Sequence, residues 1–384
     1  MAAKAPLDGI TVVEFGHSVA APYAGLVLAD LGARVIKVEN PSGGDYARSW
    51  GPPFWRETSS SFHGLNRGKE GISADFSNAS DVDRLRSLIV DEADAVIQNL
   101  RPGVLARHGL DADAMIAAKP SLIWCDIGAF GTAGPLAGKP GYDPLVQACT
   151  GIMSVTGTGV GDPVRVGVSL VDMGSGMWTV IGLLSRLIAR AQTGEGGTVA
   201  TSLYETGLAW MTVPLAGYAA DGVVRRPYGS GTAEIVPYQA FRTADGWTMI
   251  AAGNDNLFRR LCGVLDLAEL AADPAYATNP VRVRNREVLI PRIADAIATW
   301  SSEALAAALD GAGVPNAPLH TVDQVFDHPQ TEALGLVQFC EGDTLPLVGT
   351  PLTLNGERPR SSRPAPQLGE HDVPVVRKRT AVSG

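Results

Sequence analysis

The sequence predicts an α/β protein with a doubly wound large part and a smaller α+β part. Strand patterns at 10–15 and 34–39 enclose an apolar helix pattern, and this spacing suits two parallel strands joined by a crossover helix. The alternation of strand and helix patterns continues to about residue 220. Beyond it, strand-type runs flank Ala244-Asp-Gly246, which indicates a β-hairpin. We therefore expect a large domain over 1–220 and a small domain over 225–320.

Composition is that of an ordinary globular protein. Of the 384 residues, 45% are hydrophobic and 18% are charged, so the chain can bury a core and is not disordered. The net charge of -9 disfavours nucleic acid or an anionic membrane as a partner, because both are themselves negative. A local basic pocket for a small polyanion is compatible with this charge.

The cysteines and the apolar segments limit the class of protein further. The four cysteines are far apart and no pair has metal-ligand or redox-motif spacing, so we expect no metal site and a reduced, cytoplasmic protein. Residues 1–9 contain no apolar signal-peptide core. The longest apolar stretch, 177–189, is interrupted by Ser185 and Arg186 and is too short to span a membrane.

The first crossover contains the turn Gly16-His-Ser-Val-Ala-Ala21, after which Pro22 marks the start of a helix. The turn lacks the pattern G-x-G-x-x-G, so a nicotinamide-dependent dehydrogenase is not supported. Backbone N–H groups at a helix N-terminus still suit a phosphate or a nucleotide.

The remaining elements of the large part follow in order. Residues 41–71 are predicted to form a long loop with a functional role, and strands are predicted at 93–98 and 122–127. The glycine- and proline-rich segment 128–141 is expected to be a loop against a ligand or a mobile lid. A later helix is predicted over 204–219.

The segment 164–178 combines a strand-type run, one carboxylate and a long helix pattern. The run 164–170 stops before Asp172, and small residues including Gly174 and Gly176 follow at once. Locally, Asp172 fits a helix N-cap. A carboxylate at a strand-to-helix turn beside glycines also presents a nucleophile to a ligand, but spacing alone favours the cap.

Short motifs extend over nearly the whole chain. In order they are Val12-Val-Glu-Phe15, Ala20-Ala-Pro22, Ala29-Asp-Leu-Gly-Ala33, Val35-Ile-Lys-Val-Glu39, Gly43-Gly-Asp45, Leu65-Asn-Arg-Gly-Lys69, Asn99-Leu-Arg-Pro-Gly103, Gly141-Tyr-Asp143, Asp172 with Gly176, Pro237-Tyr-Gln-Ala-Phe241, Gly253-Asn-Asp255, Arg282-Val-Arg-Asn-Arg286 and Leu368-Gly-Glu-His371. Each is weak alone, but their joint order is specific. Together they resemble the class III CoA-transferases of the formyl-CoA transferase and carnitine-CoA transferase type.

The resemblance implies a fold and an assembly. Members have a Rossmann-like large domain and a smaller α+β domain, and two chains form a homodimer of interlocked rings. In that architecture the C-terminal segment, here 330–384, returns to the large domain. No permanently bound cofactor is implied, since coenzyme A enters as a thioester substrate.

The resemblance also implies a mechanism and site residues. Asp172 falls on the family's catalytic aspartate, which forms a mixed anhydride with an acyl-CoA and then an aspartyl-CoA thioester, before a free carboxylic acid accepts the CoA. The acyl pocket would comprise Tyr142, Gly229, Ser230 and Gly231. Contacts to CoA would fall on His17, Ser18, Val19, Ala20, Lys69, Asn99, Leu100, Arg107 and Lys139, where cationic side chains suit phosphates.

Two departures from the family pattern bear on specificity. Asn40 stands where some members carry an arginine, and Gly229-Ser-Gly231 with Glu234 replaces the longer glycine loop of formyl-CoA transferase. The nearest alternative is a 2-methylacyl-CoA racemase, which pairs the aspartate with a histidine in Gly-His-Asp. Here that position is Tyr142, and a tyrosine with an ordinary pKa near ~10 is a poor base at neutral pH, which favours transfer. A CoA-binding protein without turnover is a further alternative.

Overall fold

The computed structural model describes residues 5–159 and 162–372. The chain forms two compact units. The first contains residues 1–150, 167–210 and 329–384, and the second contains 151–166 and 211–328. The boundaries differ from the expected domains, because 151–166 belong to the second unit and the middle segment of the first unit stops at 210 rather than near 220.

The strands, in chain order, are β1 (Thr11–Phe15), β2 (Arg34–Glu39), β3 (Phe54–Trp55), β4 (Thr58–Ser59), β5 (Glu70–Ser73), β6 (Ala95–Gln98), β7 (Ile123–Gly128), β8 (Gly197–Ser202), β9 (Tyr238–Arg242), β10 (Trp247–Ala251), β11 (Asn316–Pro318), β12 (Val337–Phe339) and β13 (Pro346–Val348).

The helices are α1 (Ala20–Asp30), α2 (Ser60–Asn66), α3 (Ala79–Ser87), α4 (Ala112–Ala118), α5 (Asp143–Cys149), α6 (Ile152–Val155), α7 (Leu170–Thr193), α8 (Leu203–Trp210), α9 (Thr212–Asp221), α10 (Asp255–Val264), α11 (Ala268–Ala272), α12 (Asn279–Arg284), α13 (Arg286–Ile297), α14 (Ser302–Gly311), α15 (Val322–Phe326) and α16 (Pro329–Leu334). None of the helices within 5–159 and 162–372 is long and apolar enough to cross a membrane.

The first unit is built on a six-stranded sheet in the order β5-β2-β1-β6-β7-β8. Every neighbouring pair in it is parallel, as the strand–helix–strand pattern predicts. Chain order runs outward in both directions from β1 and β6, so the carboxyl ends of these two strands form the switch point of the sheet. In open parallel sheets ligands bind at this place.

The predicted long loop 41–71 is wrong in part, because it contains α2 and the edge strand β5. The strand β5 has only four residues of mixed polarity, too few to show the alternating pattern that predicts a strand. The C-terminal segment covers this edge. The backbone N–H of His371 donates to the carbonyl of Gly71, and the N–H of Ser73 donates to the carboxylate of Asp372.

Two further predictions are corrected in the region of Asp172. The described residues of 164–169 form no strand, and the helix α7 already begins at Leu170. Val164 and Val168 are exposed, so their alternation does not reflect a buried sheet face. The single helix predicted over 204–219 is divided into α8 and α9, with Met211 between them.

The second unit contains an antiparallel sheet in the order β11-β10-β9. The predicted hairpin is confirmed, with Trp247 paired to Arg242 and Ala251 to Tyr238. The α-helices α10, α13 and α14 cover it with a core that includes Phe258. This unit therefore has the α+β character that its sequence predicts.

Candidate active site

The switch point brings together two of the predicted CoA-binding stretches. The N–H of His17, after β1, donates to the side-chain oxygen of Asn99 over 3.0 Å. The side-chain nitrogen of Asn99, after β6, donates back to the carbonyl of His17 over 2.9 Å. The side chain of Asn99 thus connects the ends of β1 and β6 and fixes the backbone at the start of the turn.

The turn itself is held in an uncommon backbone conformation. Ser18 has φ 67°, a region that non-glycine residues rarely adopt, and its N–H donates to the Asp45 carboxylate over 2.9 Å. The side chains of Val19 and Ala20 are buried, so a ligand at this turn would meet their backbone. Burial is the main cause that lowers the pKa of His17, which leaves the ring mostly neutral at pH 7.

A buried group of charges supports this turn from beneath. The ammonium of Lys37 lies 3.1 Å from the Glu14 carboxylate and 2.9 Å from that of Asp45, and it donates to the carbonyl of Gly16. Its two anionic neighbours raise the pKa of Lys37 despite complete burial. Backbone groups on both sides of the turn are therefore fixed by charged side chains.

Lys69 belongs to the same group, and this corrects its predicted role. Its side chain is fully buried, and the ammonium lies 2.8 Å each from a Glu14 oxygen, the Pro22 carbonyl and the Asn66 side-chain oxygen. These contacts use the three protons of an ammonium group. Burial, the largest cause, lowers the pKa of Lys69 to about 8. The structure therefore contradicts direct contact between Lys69 and a CoA phosphate.

Asp172 is the third residue of α7 rather than its cap. Ser169 precedes the helix without forming a side-chain cap bond. The cap is supplied by Asp143, whose Oδ2 accepts the N–H of Val171 over 2.8 Å and that of Asp172 over 3.2 Å. These N–H groups of the first turn of α7 are thus bonded to a second carboxylate.

The environment of Asp172 makes its carboxyl a weaker acid than an exposed aspartate. Burial and, after it, the charge of Asp143 raise the pKa of Asp172 from 3.8 to about 7. At neutral pH about half of such groups are ionised, and the ionised form is more basic than an ordinary carboxylate.

The glycines of α7 serve packing between helices, which differs from the predicted clearance for a thioester. A Cβ on Gly174 would lie 2.9 Å from Thr206 and Trp210 of α8. A Cβ on Gly176 would lie 2.7 Å from the carbonyl oxygen of Ala20 at the start of α1. Since Gly176 lies about one helical turn beyond Asp172, this contact places the start of α7 beside the turn that follows β1.

The other predicted residues differ in exposure. Arg107, Lys139 and Tyr142 are exposed, and Tyr142 directly precedes α5. Leu100 is half-buried and packs against the core beneath the sheet. Gly229, Ser230 and Gly231 belong to the second unit, where the Ser230 hydroxyl accepts the N–H of Ala240 and Gly229 donates to Gly157.

Comparison with known proteins identifies the family of the chain. The model of CoA-transferase family III matches residues 7–372. The chain belongs to CoA-transferase family III. It is 37% identical to a succinate–glutarate CoA-transferase of Agrobacterium fabrum, over 97% of this chain and 95% of that one. An acetyl-CoA:oxalate CoA-transferase of Acetobacter aceti is 35% identical, over 98% and 96%.

Solved structures agree with the fold of this family III CoA-transferase. A CaiB/BaiF family protein from Brucella suis has a TM-score of 0.86 and 38% identity, covering 96% of this chain and 98% of that one. The chain is thus an enzyme that transfers CoA, built on an α/β fold with a central parallel sheet. Within residues 5–159 and 162–372 the transferase has no cluster of three or more metal-binding side chains.

Sequence analysis of the transferase missed the two carboxylates that support the site. Asp45 and Asp143 lie in the motifs Gly43-Gly-Asp45 and Gly141-Tyr-Asp143, and the second was used only for its tyrosine. A carboxylate that caps an element far along the chain leaves no local spacing signal. Only the positions of Asp45 and Asp143 within sequence motifs could have identified these two residues.

Proposed function

We propose that this enzyme transfers CoA from an acyl-CoA donor to a free carboxylic acid, with Asp172 as the nucleophile. The observation that carries the proposal is the close contact between Gly176 of α7 and Ala20 of α1, which brings the first turns of the helix that carries Asp172 towards the switch point of the sheet. A CoA thioester bound at that turn would meet a partly buried carboxylate at a helix start.

The reaction proceeds through two covalent states of Asp172. An oxygen of its carboxylate attacks the thioester carbonyl, the C–S bond breaks, and CoA leaves as the thiolate while a mixed anhydride remains. The thiolate then attacks the aspartyl carbonyl, which releases the donor acid as its carboxylate and leaves an aspartyl-CoA thioester. The acceptor carboxylate repeats the two steps in reverse order.

Within this site, the turn at 17–20 would hold part of the CoA through its backbone, with Asn99 fixing the turn. Exposed Arg107 and Lys139 are candidates for the phosphates, and Tyr142 for the acyl pocket. Ser230 and its flanking glycines remain the proposed acyl-pocket residues of the second unit. The complete burial of Lys69 supports a role beneath the turn in place of direct CoA contact.

The names of the relatives suggest the class of acid. They include succinate with glutarate, oxalate, and succinyl-CoA with mesaconate, all of them dicarboxylic acids or their thioesters. We therefore expect a short dicarboxylic acid as donor or acceptor. A panel of acyl-CoA donors against mono- and dicarboxylic acids, read by mass spectrometry, would identify the pair, and exclusive use of monocarboxylates would reject this class.

Covalent trapping tests the mechanism. With an acyl-CoA present, hydroxylamine should convert Asp172 to the hydroxamate, which mass spectrometry of the peptide would locate. Asp172→Ala should lose both labelling and transfer, whereas exposed Asp113→Ala should keep both. Transfer that persists in Asp172→Ala would reject Asp172 as the nucleophile.

The racemase alternative makes a different prediction. It requires exchange of the α-proton of a 2-methylacyl-CoA with deuterated water, through a base opposite Asp172. Tyr142 occupies the position where the racemase motif has a histidine, and the residue is 53% exposed. Rapid deuterium incorporation without transfer would favour racemisation.

We also propose that the enzyme acts as a homodimer. The helices α7 and α8 expose large apolar side chains, namely Met177, Trp178, Ile181, Ile188, Leu208 and Trp210. Apolar surface of this kind commonly marks an interface with another chain. Light scattering after size-exclusion chromatography should give twice the mass of one chain, and a monomer at micromolar concentration would contradict the proposal.

A further inference from the structure

We propose that Asp143 is a positioning residue for the transfer reaction, which caps the helix that carries Asp172 and places a second carboxylate beside the nucleophile. The inference rests on the proposed role of Asp172. Asp143 itself forms and breaks no covalent bond in the proposed reaction.

The geometry gives Asp143 a single fixed orientation. Its side chain opens α5, is 3% exposed and uses both oxygens. Oδ2 accepts two N–H groups of the first turn of α7, from residues 28 and 29 positions later, while Oδ1 accepts the side-chain amide of Gln147 over 2.6 Å. A displacement of this carboxylate would therefore also displace the backbone of Asp172.

Other charged side chains near α7 do not take this role. Among the described residues, Asp143 is the charged neighbour that acts on the carboxyl of Asp172. Charged groups on the elements packed against α7 have partners of their own: Asp30 of α1 pairs with Arg67, Glu205 of α8 bonds to the Ser202 hydroxyl, and Asp126 of β7 bonds to the Gln98 amide. The elements packed against α7 also carry Tyr23 on α1, Cys149 on α5 and Tyr204 on α8, and Tyr142 directly precedes α5.

The second carboxylate has a chemical consequence for the proposed reaction. Ionised Asp172 is repelled by Asp143, but the anhydride and the thioester at Asp172 carry no charge on that side chain. Attack moves the negative charge from Asp172 to the sulfur of the departing thiolate. The repulsion is thereby relieved in the covalent intermediate, so Asp143 favours acylation of Asp172.

Two substitutions of Asp143 distinguish the effect of the helix cap from the effect of the negative charge. Asp143→Asn retains an oxygen for the helix N–H groups but removes the charge, whereas Asp143→Ala removes both. We expect Asp143→Asn to shift the acidic limb of the kcat/KM profile downward by about one pH unit, and to lower kcat at pH 8 by about tenfold. Asp143→Ala should lower kcat further and weaken hydroxylamine labelling. Asp111→Asn, a matched cap change on α4, should leave the profile unchanged.

Each outcome supports or rejects the inference. Wild-type labelling at Asp172 with an unchanged pH profile in a folded Asp143→Asn variant would reject the role of Asp143 and retain the proposed function. An absence of wild-type labelling would reject the proposed function itself, and the inference with it. If Asp143→Asn does not fold, the wild-type profile decides, because an acidic limb near pH 4 instead of about 7 would overturn the inference.

Discussion

Replacement of Asp172 by Asn is expected to stabilise the folded protein at pH 8 while abolishing transfer. Folding raises the pKa of this carboxyl from 3.8 to about 7, so ionised Asp172 destabilises the native state. Each tenfold change in proton affinity is worth about 1.4 kcal/mol, which gives about 4 kcal/mol above pH 7. The amide of asparagine carries no charge and avoids this cost.

The size of the stabilising effect depends on pH in a defined way. Between about pH 4 and 7 the folded protein holds the proton that the unfolded chain releases, so the contribution of Asp172 to stability falls as pH rises. The gain from Asp172→Asn should therefore decrease to about 2 kcal/mol at pH 5.5. In melting temperature this corresponds to about 5 °C at pH 8 and about half that at pH 5.5.

Thermal melts of both proteins at the two pH values would measure this. Asp113→Asn is the matched control, because Asp113 is an exposed aspartate in the first turn of α4 and shares only the interaction with the helix dipole. Equal shifts for the two variants at pH 8, or a gain for Asp172→Asn that does not depend on pH, would refute the reasoning.

Three further predictions concern the turn and the titration of the site. Gly25→Ala would place a Cβ 2.0 Å from the buried Glu14 carboxylate and should cost about 3 kcal/mol in denaturant unfolding, whereas Gly64→Ala, with no atom within 4 Å of its Cβ, should be neutral or stabilising. Asp45→Ala removes the acceptor of the Ser18 N–H, so KM for the acyl-CoA should rise more than kcat falls, and equal changes would contradict a binding role for the turn. In the wild type, kcat/KM should decline as pH falls through about 7, and a flat profile down to pH 5 would show that Asp172 is ionised there.

The parts of the fold that could be predicted have strong local periodicity. The crossover from β1 to β2 and the hairpin of β9 and β10 follow from alternating or continuous apolar runs with a turn signal between them. The run at 164–170 has the same apolar character but forms no strand. It was misassigned because a sequence pattern does not show whether a neighbouring strand is available for pairing. The edge strand β5 was hidden for the opposite reason, since it pairs without an apolar pattern.

The site was predictable to the extent that its residues share a motif or an element. Asp172 and the turn at 17–20 could be proposed from the sequence, but the charged groups that surround them could not. Lys69 resembles a phosphate-binding lysine until its burial beside Glu14 is known. The cap from Asp143 depends on two helices that meet through tertiary packing, so no property of the residues between Asp143 and Val171 indicates it.

The contact between β5 and the C-terminal segment also has a consequence during synthesis of the chain. The imidazole of His371 accepts the N–H of Gly71, although 300 residues separate the two. At about 5–20 residues per second, a ribosome needs roughly 15–60 s to supply the segment that covers this strand. Throughout that interval the nascent sheet presents an open edge on which another unfinished chain can add a strand. Protection from such co-translational aggregation therefore has to come from outside the sheet until residue 372 emerges.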